Sequence, residues 1–280
     1  MAFYISGFAD EIDEKIVNQF KHLNTLGIEY FEVRGVDGKN IADLNECEVK
    51  DLKEKMDEYH IKASSIGSPI GKIGILDDFE EHLEKFFKVI ETAKYIGAPF
   101  IRMFSFYIPD GEKNKYRDTV FRRLEKMTEI AKDKNVILLH ENEKGIWGDT
   151  AENCLEIFEN IPAKNLRAVF DPANFIQCGE RNIPACLELL KPYVEYFHVK
   201  DAKGEKVVCA GEGDADFPRL ISILKGMGKD MYLSLEPHLC NFSGFANLEK
   251  EGGLKLEEAS GSVTFTLAYN SLKELLKGEI

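Results

Sequence analysis

A chain of 280 residues, 44% hydrophobic and 30% charged, can bury a large core and sits near the size of one α/β barrel, which excludes disordered and fibrous classes. Its 49 acidic against 36 basic residues leave a net charge of -13, a field that repels phosphate backbones and anionic membranes, so neither nucleic acid nor a membrane is an expected partner. Six cysteines (Cys47, Cys154, Cys178, Cys186, Cys209 and Cys240) form no CxxC pair and several lie in apolar patterns, which reads as reduced thiols in a cytoplasmic protein.

The first eleven residues carry no basic leader, and their apolar run breaks early, so neither a signal peptide nor a membrane span is expected and structure should begin at once. Short β-rich runs then alternate with long amphipathic stretches. In chain order the strand candidates are Phe3 to Ser6, Tyr30 to Val33, Ile61 to Ile66, Phe100 to Phe104, Val136 to His140, Ala168 to Phe170, Tyr196 to Val199 and Met231 to Leu235. After the fourth, a helix from about Tyr116 to Lys132 places Val120, Leu124, Met127 and Ile130 on one face. A last helix, Ser262 to Leu276, offers Phe265, Leu267, Leu272 and Leu276 and would close the ring against the first. Eight βα units without a Pro/Gly/Ser linker predict a single-domain (β/α)8 TIM barrel over residues 1–280. An open doubly wound sheet is disfavoured, because Ser6-Gly7-Phe8-Ala9-Asp10 is no GxGxxG and no phosphate-loop motif occurs.

In a closed barrel the chemistry projects from the carboxyl ends of the strands. Four consecutive strands there turn from apolar to acidic or imidazole: Leu139-His140-Glu141, Val169-Phe170-Asp171, Tyr196-Phe197-His198 and Ser234-Leu235-Glu236. Converging carboxylates without a partner would be strongly destabilising, and one divalent cation resolves the conflict. An oxygen-rich shell with one nitrogen favours Mn²⁺ or Mg²⁺ over a thiolate-type zinc site.

Phe170-Asp171-Pro172-Ala173-Asn174, His198-Val199-Lys200-Asp201, Gly211-Glu212-Gly213-Asp214 and Leu235-Glu236-Pro237 resemble, in this order, the xylose isomerase-like TIM barrel superfamily, especially its sugar phosphate isomerase/epimerase branch. The resemblance covers nearly the whole chain. It implies metal ligation by Glu141, Asp171, His198 and Glu236, with Mn²⁺ ahead of Mg²⁺, Co²⁺ or Zn²⁺, and acid/base roles for Glu141 and Glu236. The implied activity is isomerisation or epimerisation of a small ketose or polyol through an enediolate. Loss of a β-hydroxyl, as in an inosose-type dehydratase, or a partner-dependent carbohydrate enzyme is the alternative. Related epimerases carry a His where this chain has Asn174, and their further acidic residue falls near Trp147.

Arg102, Glu143, Trp147, Asn174, Lys200 and Glu212 are the candidate substrate contacts; Trp147 would stack on a sugar face. Glu32 and Arg34 close the second strand, where they would pair with each other or bind substrate oxygens. His140 should point away from the site under the period-two rule, and Asp201 is assigned a structural role. An apurinic endonuclease of the same superfamily needs three metals and more histidines than the six present, and a non-catalytic sugar-binding barrel has no use for two intact glutamates. The segment 238–261 is expected to be a lid or a packing arm against another subunit, a homo-oligomer being one possible assembly.

Overall fold

The computed structural model describes residues 1–240 and 260–277. In chain order its strands are β1 (Phe3–Gly7), β2 (Tyr30–Val33), β3 (Gly35–Val36), β4 (Lys39–Asn40), β5 (Lys62–Ile66), β6 (Phe100–Met103), β7 (Ile137–Glu141), β8 (Leu166–Phe170), β9 (Val194–Val199), β10 (Asp201–Lys203), β11 (Lys206–Val208) and β12 (Met231–Leu235). Its helices are α1 (Ile16–Leu26), α2 (Glu46–Tyr59), α3 (Phe79–Ile96), α4 (Lys113–Asp133), α5 (Ala151–Asn160), α6 (Pro172–Gln177), α7 (Ile183–Leu190), α8 (Phe217–Gly226) and α9 (Gly261–Lys277).

Eight strands pair in parallel in the order β1-β12-β9-β8-β7-β6-β5-β2, a nearly closed TIM barrel forming one domain. These are the eight strands expected from the sequence, with ends shifted by one or two residues. The short pairs β3/β4 and β10/β11 are antiparallel ribbons beside the barrel's carboxyl end. Register shifts once between β2 and β5, at Phe31/Glu32, and once between β8 and β9.

Local chemistry sets the helix ends. Asn45 and Glu48 form a reciprocal capping box at the start of α2, and the Asp78 carboxylate accepts two backbone N–H groups at the start of α3. Helix α3 stops at Gly97, whose φ of 79° suits a residue without Cβ. On α4 the buried stripe is Val120, Leu124, Met127 and Ala131, with Ile130 at its edge. On α9, Phe265, Ala268 and Leu272 are buried, whereas Leu267 is 45% exposed. The expectation that Leu267 joins the core is corrected: it lies about 200° around the helix from Phe265 at 100° per residue.

The main core lies between strands and helices, as where Phe20 of α1 meets Phe31 of β2 edge-on at 5.0 Å. A second, smaller core of Leu139, Val169 and Tyr196 fills the barrel itself. Tyr4, Tyr30, Phe100, Tyr196 and Tyr232 close its amino-terminal end, with ring centroids 5.2 to 6.3 Å apart. Most of segment 238–261, the expected lid or arm, lies outside the described residues. Among the described residues no helix is long and apolar enough to cross a membrane.

Candidate metal centre

Strand alternation aims the cluster. Leu139 and Val169 line the barrel interior, so Glu141 and Asp171, two residues on, follow them inward; Tyr196 and Ser234 do the same for His198 and Glu236. His140 points outward as the period-two rule requires. Its Nε2 lies 2.9 Å from Ser105 Oγ, and burial pushes its pKa down to about 4.

Asp171 is held by its neighbours in sequence and in space. Its Oδ1 accepts the Asn174 N–H at 2.8 Å as the N-cap of α6, with Pro172 in the first turn. Asn142 Nδ2 donates to the Asp171 carbonyl at 2.8 Å, and Asn142 Oδ1 accepts the Asp171 N–H at 3.0 Å. Only Oδ2 is then left to face the cluster.

His198 Nδ1 lies 3.1 Å from Glu141 Oε1, 3.3 Å from Glu236 Oε2 and 3.6 Å from Asp171 Oδ2. One ligand atom from each of the four residues falls within 4.8 Å of all the others, and all four residues are buried. Cationic side chains surround them. Lys200 Nζ is 3.2 Å from Asp171 Oδ2 and 3.5 Å from Glu236 Oε2, Arg102 NH1 is 3.1 Å from Glu141 Oε2, and Arg34 NH1 is 3.1 Å from Glu236 Oε1.

The pKa directions follow from this packing. Burial pushes the Glu141 carboxyl up, but Arg102 and His198 outweigh it and bring it down to about 2. Burial likewise opposes Lys200 and His238 at Glu236, which ends well below the usual carboxylate range. Asp171 is raised, since burial there exceeds the pull of Lys200. For His198, burial is overcome by Glu141 and Glu32, which hold the imidazole well above its ordinary value.

The donor set fits a hard divalent cation. Glu141 Oε2 and Asp171 Oδ2 are buried without a hydrogen-bond partner, although each lies within ion-pair reach of a cation. Three carboxylates and one imidazole nitrogen match the preference of Mn²⁺ or Mg²⁺, and the same number of ligands also suits zinc.

Of the other sequence candidates, Arg102, Asn174 and Lys200 join the cluster. Asn174 Nδ2 donates to Glu141 Oε1 at 3.2 Å. Glu143 is half-buried at the rim, where Lys72 Nζ donates to it at 2.8 Å. Trp147 is 4% exposed, with its indole edge-on to Phe121 at 5.6 Å. Glu212 is exposed and contacts none of the cluster; the backbone around it turns toward Asp201, which accepts N–H groups from Gly211 and Gly213 at 3.0 Å each. Nor do Glu32 and Arg34 pair with each other. Arg34 engages Asp10, Glu11 and Glu236, while Glu32 Oε2 lies 3.2 Å from His198 Nε2.

Sequence reasoning missed Asp10, Glu11, Asn142 and His238. His238 Nε2 lies 3.3 Å from Glu236 Oε1 and 3.5 Å from Glu11 Oε1, and the His238 backbone N–H donates to Glu11 Oε2 at 2.7 Å. The usable signal was the Asp10-Glu11 pair one turn past the first strand.

The chain belongs to the xylose isomerase-like TIM barrel family, whose model matches residues 20–253. An uncharacterized protein, MJ1311 of Methanocaldococcus jannaschii, is 29% identical over 158 residues, 52% of this chain and 53% of that protein, so the match spans about half the length of this curated relative. Among solved structures, the fold is similar to a D-tagatose 3-epimerase-like protein (TM-score 0.76, 21% identity, 98% of this chain and 97% of that one). It is also similar to an IolI protein with a bound zinc atom (TM-score 0.78, 17% identity, 99% of each chain). At these identities the likeness is one of fold.

Proposed function

We propose that this protein is a divalent-metal-dependent isomerase or epimerase of a small ketose or polyol, with Mn²⁺ held by Glu141, Asp171, His198 and Glu236. The observation that carries this is the convergence of those four side chains, from four adjacent strands, on one buried point. The D-tagatose 3-epimerase-like protein and the zinc-bearing protein that share the fold support the same direction.

When bound, the ion supplies Lewis-acid polarisation of a substrate carbonyl and hydroxyl. The rest is the work of this chain. Glu141 and Glu236 are the proton-moving pair: one, as the carboxylate, takes the proton from the carbon beside the carbonyl and becomes the acid, and the proton is returned either by that same group or by the other after it has taken one from solvent. The Lys200 ammonium and the Arg102 guanidinium, 5% and 3% exposed, set positive charge beside the enediolate oxygens. Asn174 fixes Glu141 Oε1 but has no titratable proton, so it orients the base rather than relaying for it. Return of the proton to the other face of the same carbon gives an epimer, and return to the neighbouring carbon gives an aldose or ketose isomer.

Metal analysis of the purified protein combined with solvent-exchange NMR tests this. Expected are about one divalent ion per chain, lost in a Glu141→Ala/His198→Ala double variant, and deuterium uptake beside the carbonyl of a ketose in D₂O. Glu236→Gln should slow that uptake at least ~100-fold while ligand binding persists. A wild-type protein that binds no metal under supplementation would remove the proposal, and release of an unsaturated product would replace isomerisation with dehydration.

A further inference from the structure

Glu32 sits on β2, on the far side of the His198 ring from the four-residue cluster, and nothing in the proposed proton chemistry uses it. It is 1% exposed. Its Oε2 lies 3.2 Å from His198 Nε2 and accepts the Ser234 hydroxyl at 2.8 Å. The opposite ring nitrogen, Nδ1, is the one that faces Glu141, Asp171 and Glu236. Phe8 and Tyr196 stand edge-on to the imidazole at centroid distances of 5.3 and 5.9 Å, so the plane of the ring is set by packing.

A neutral imidazole carries one N–H, and the hydrogen bond at one nitrogen decides which nitrogen keeps a lone pair. A carboxylate at Nε2 therefore selects the tautomer that presents Nδ1. The irregularity between β2 and β5 falls at Phe31/Glu32, where the pairing steps from Phe31 with Ala63 to Glu32 with Ser65. Bulges of this kind re-aim side chains at barrel rims. Here the extra residue is Ser64 on β5, which lets Glu32 sit opposite Ser65, while the ordinary alternation of β2 sends Phe31 outward onto Phe20 and Glu32 inward to the ring.

We propose that Glu32 is a positioning residue for the metal centre: by accepting the His198 Nε2–H, with Ser234 holding it in place, it fixes Nδ1 as the ligand atom. This rests on the metal-dependent function above and adds to it a carboxylate that touches neither metal nor substrate. Outer carboxylates of this type raise ligand basicity, and removing one weakens metal affinity by ~10–100-fold.

The test is a titration of chelator-stripped wild type, Glu32→Ala, Glu32→Gln and Ser234→Ala with Mn²⁺ and with Zn²⁺ against a chromophoric competitor. Glu32→Ala should bind each ion ~10–100-fold more weakly. Glu32→Gln, whose amide oxygen still accepts the Nε2–H, should recover part of that loss, and Ser234→Ala should lose a few-fold. In zinc-loaded wild type, ¹⁵N-edited NMR should place the ring proton of His198 on Nε2, with a downfield proton shift that collapses in Glu32→Ala. Thermal melts of the stripped proteins check folding. A folded Glu32→Ala that binds within about twofold of wild type, against the loss seen for outer-shell carboxylates, overturns the assignment, as does a ring proton found on Nδ1. Should Glu32→Ala not fold, unchanged affinity in both Glu32→Gln and Ser234→Ala overturns it instead. Wild type that binds no ion brings down the metal-dependent function as well, whereas normal wild-type binding with indifferent variants removes Glu32 alone.

Discussion

Asp201 is a buried carboxylate kept busy by the backbone. It accepts N–H groups from Ala202 at 2.8 Å, Gly211 and Gly213 at 3.0 Å and Ala215 at 3.2 Å, which moors the turn after β11 to the start of β10. Burial raises its pKa, with the backbone donors pulling the other way. Replacing it with Ala strands buried donors, so Asp201→Ala should lower stability by ~2–4 kcal/mol in a denaturant melt, with Asp201→Asn intermediate. Gly213→Ala should fail in the same assay, because the new Cβ would stand 2.3 Å from Asp201 Oδ1. At this scale, sequence was informative where strand periodicity fixes direction: Glu141, Asp171, His198 and Glu236 each sit two residues beyond an inward-facing residue. Trp147 and Glu212 lie on turns, where no period says which way a side chain points. Arg34 and His238 were obscured for another reason. Their partners Glu236 and Glu11 are 202 and 227 positions away, and no local pattern encodes such a pairing.

Between elements, the loop from β5 to α3 is tied to its own helix through a histidine. His82 Nε2 accepts the Gly71 N–H at 2.8 Å, which requires an unprotonated nitrogen. Burial, then Lys85 and Arg123, lower its pKa to about 4. At His82 the folded state therefore binds fewer protons than the unfolded chain between about pH 4 and 6.5, so this group's contribution to stability rises with pH through that window and is lost on acidification. His140, also lowered to about 4, contributes in the same sense. Tm measured from pH 7 to 4 should fall less steeply in His82→Gln, whose amide oxygen still accepts from Gly71 and does not titrate; an unchanged slope would assign the acid sensitivity elsewhere. Gly71 has a φ of 86°, and an added Cβ would meet the Phe104 carbonyl oxygen at 2.1 Å, so this close crossing of two loops depends on glycine. The strands were legible because each is a short apolar run ending in polar residues. Helix α9 was legible in extent but not wholly in facing, as Leu267 shows, because an apolar residue off the stripe looks the same as one on it.

For the molecule as a whole, an ion that binds the folded chain alone is also a stabiliser. Mn²⁺ at a hundred times its dissociation constant should add about 2.7 kcal/mol, visible as a rise in Tm that a chelator reverses and that Glu141→Ala/His198→Ala does not show. The barrel architecture was readable from eight repeating units, whereas the division into two cores and the aromatic seal at one end emerge only when strands far apart in sequence become neighbours. That seal makes the barrel a vessel with one doorway. With tyrosine and phenylalanine rings packed across the amino-terminal end, the described strands present Glu141 and Glu236 toward the carboxyl end. Under the proposed activity, reactant and product would share the carboxyl-end mouth, and accumulated product would compete there with incoming reactant.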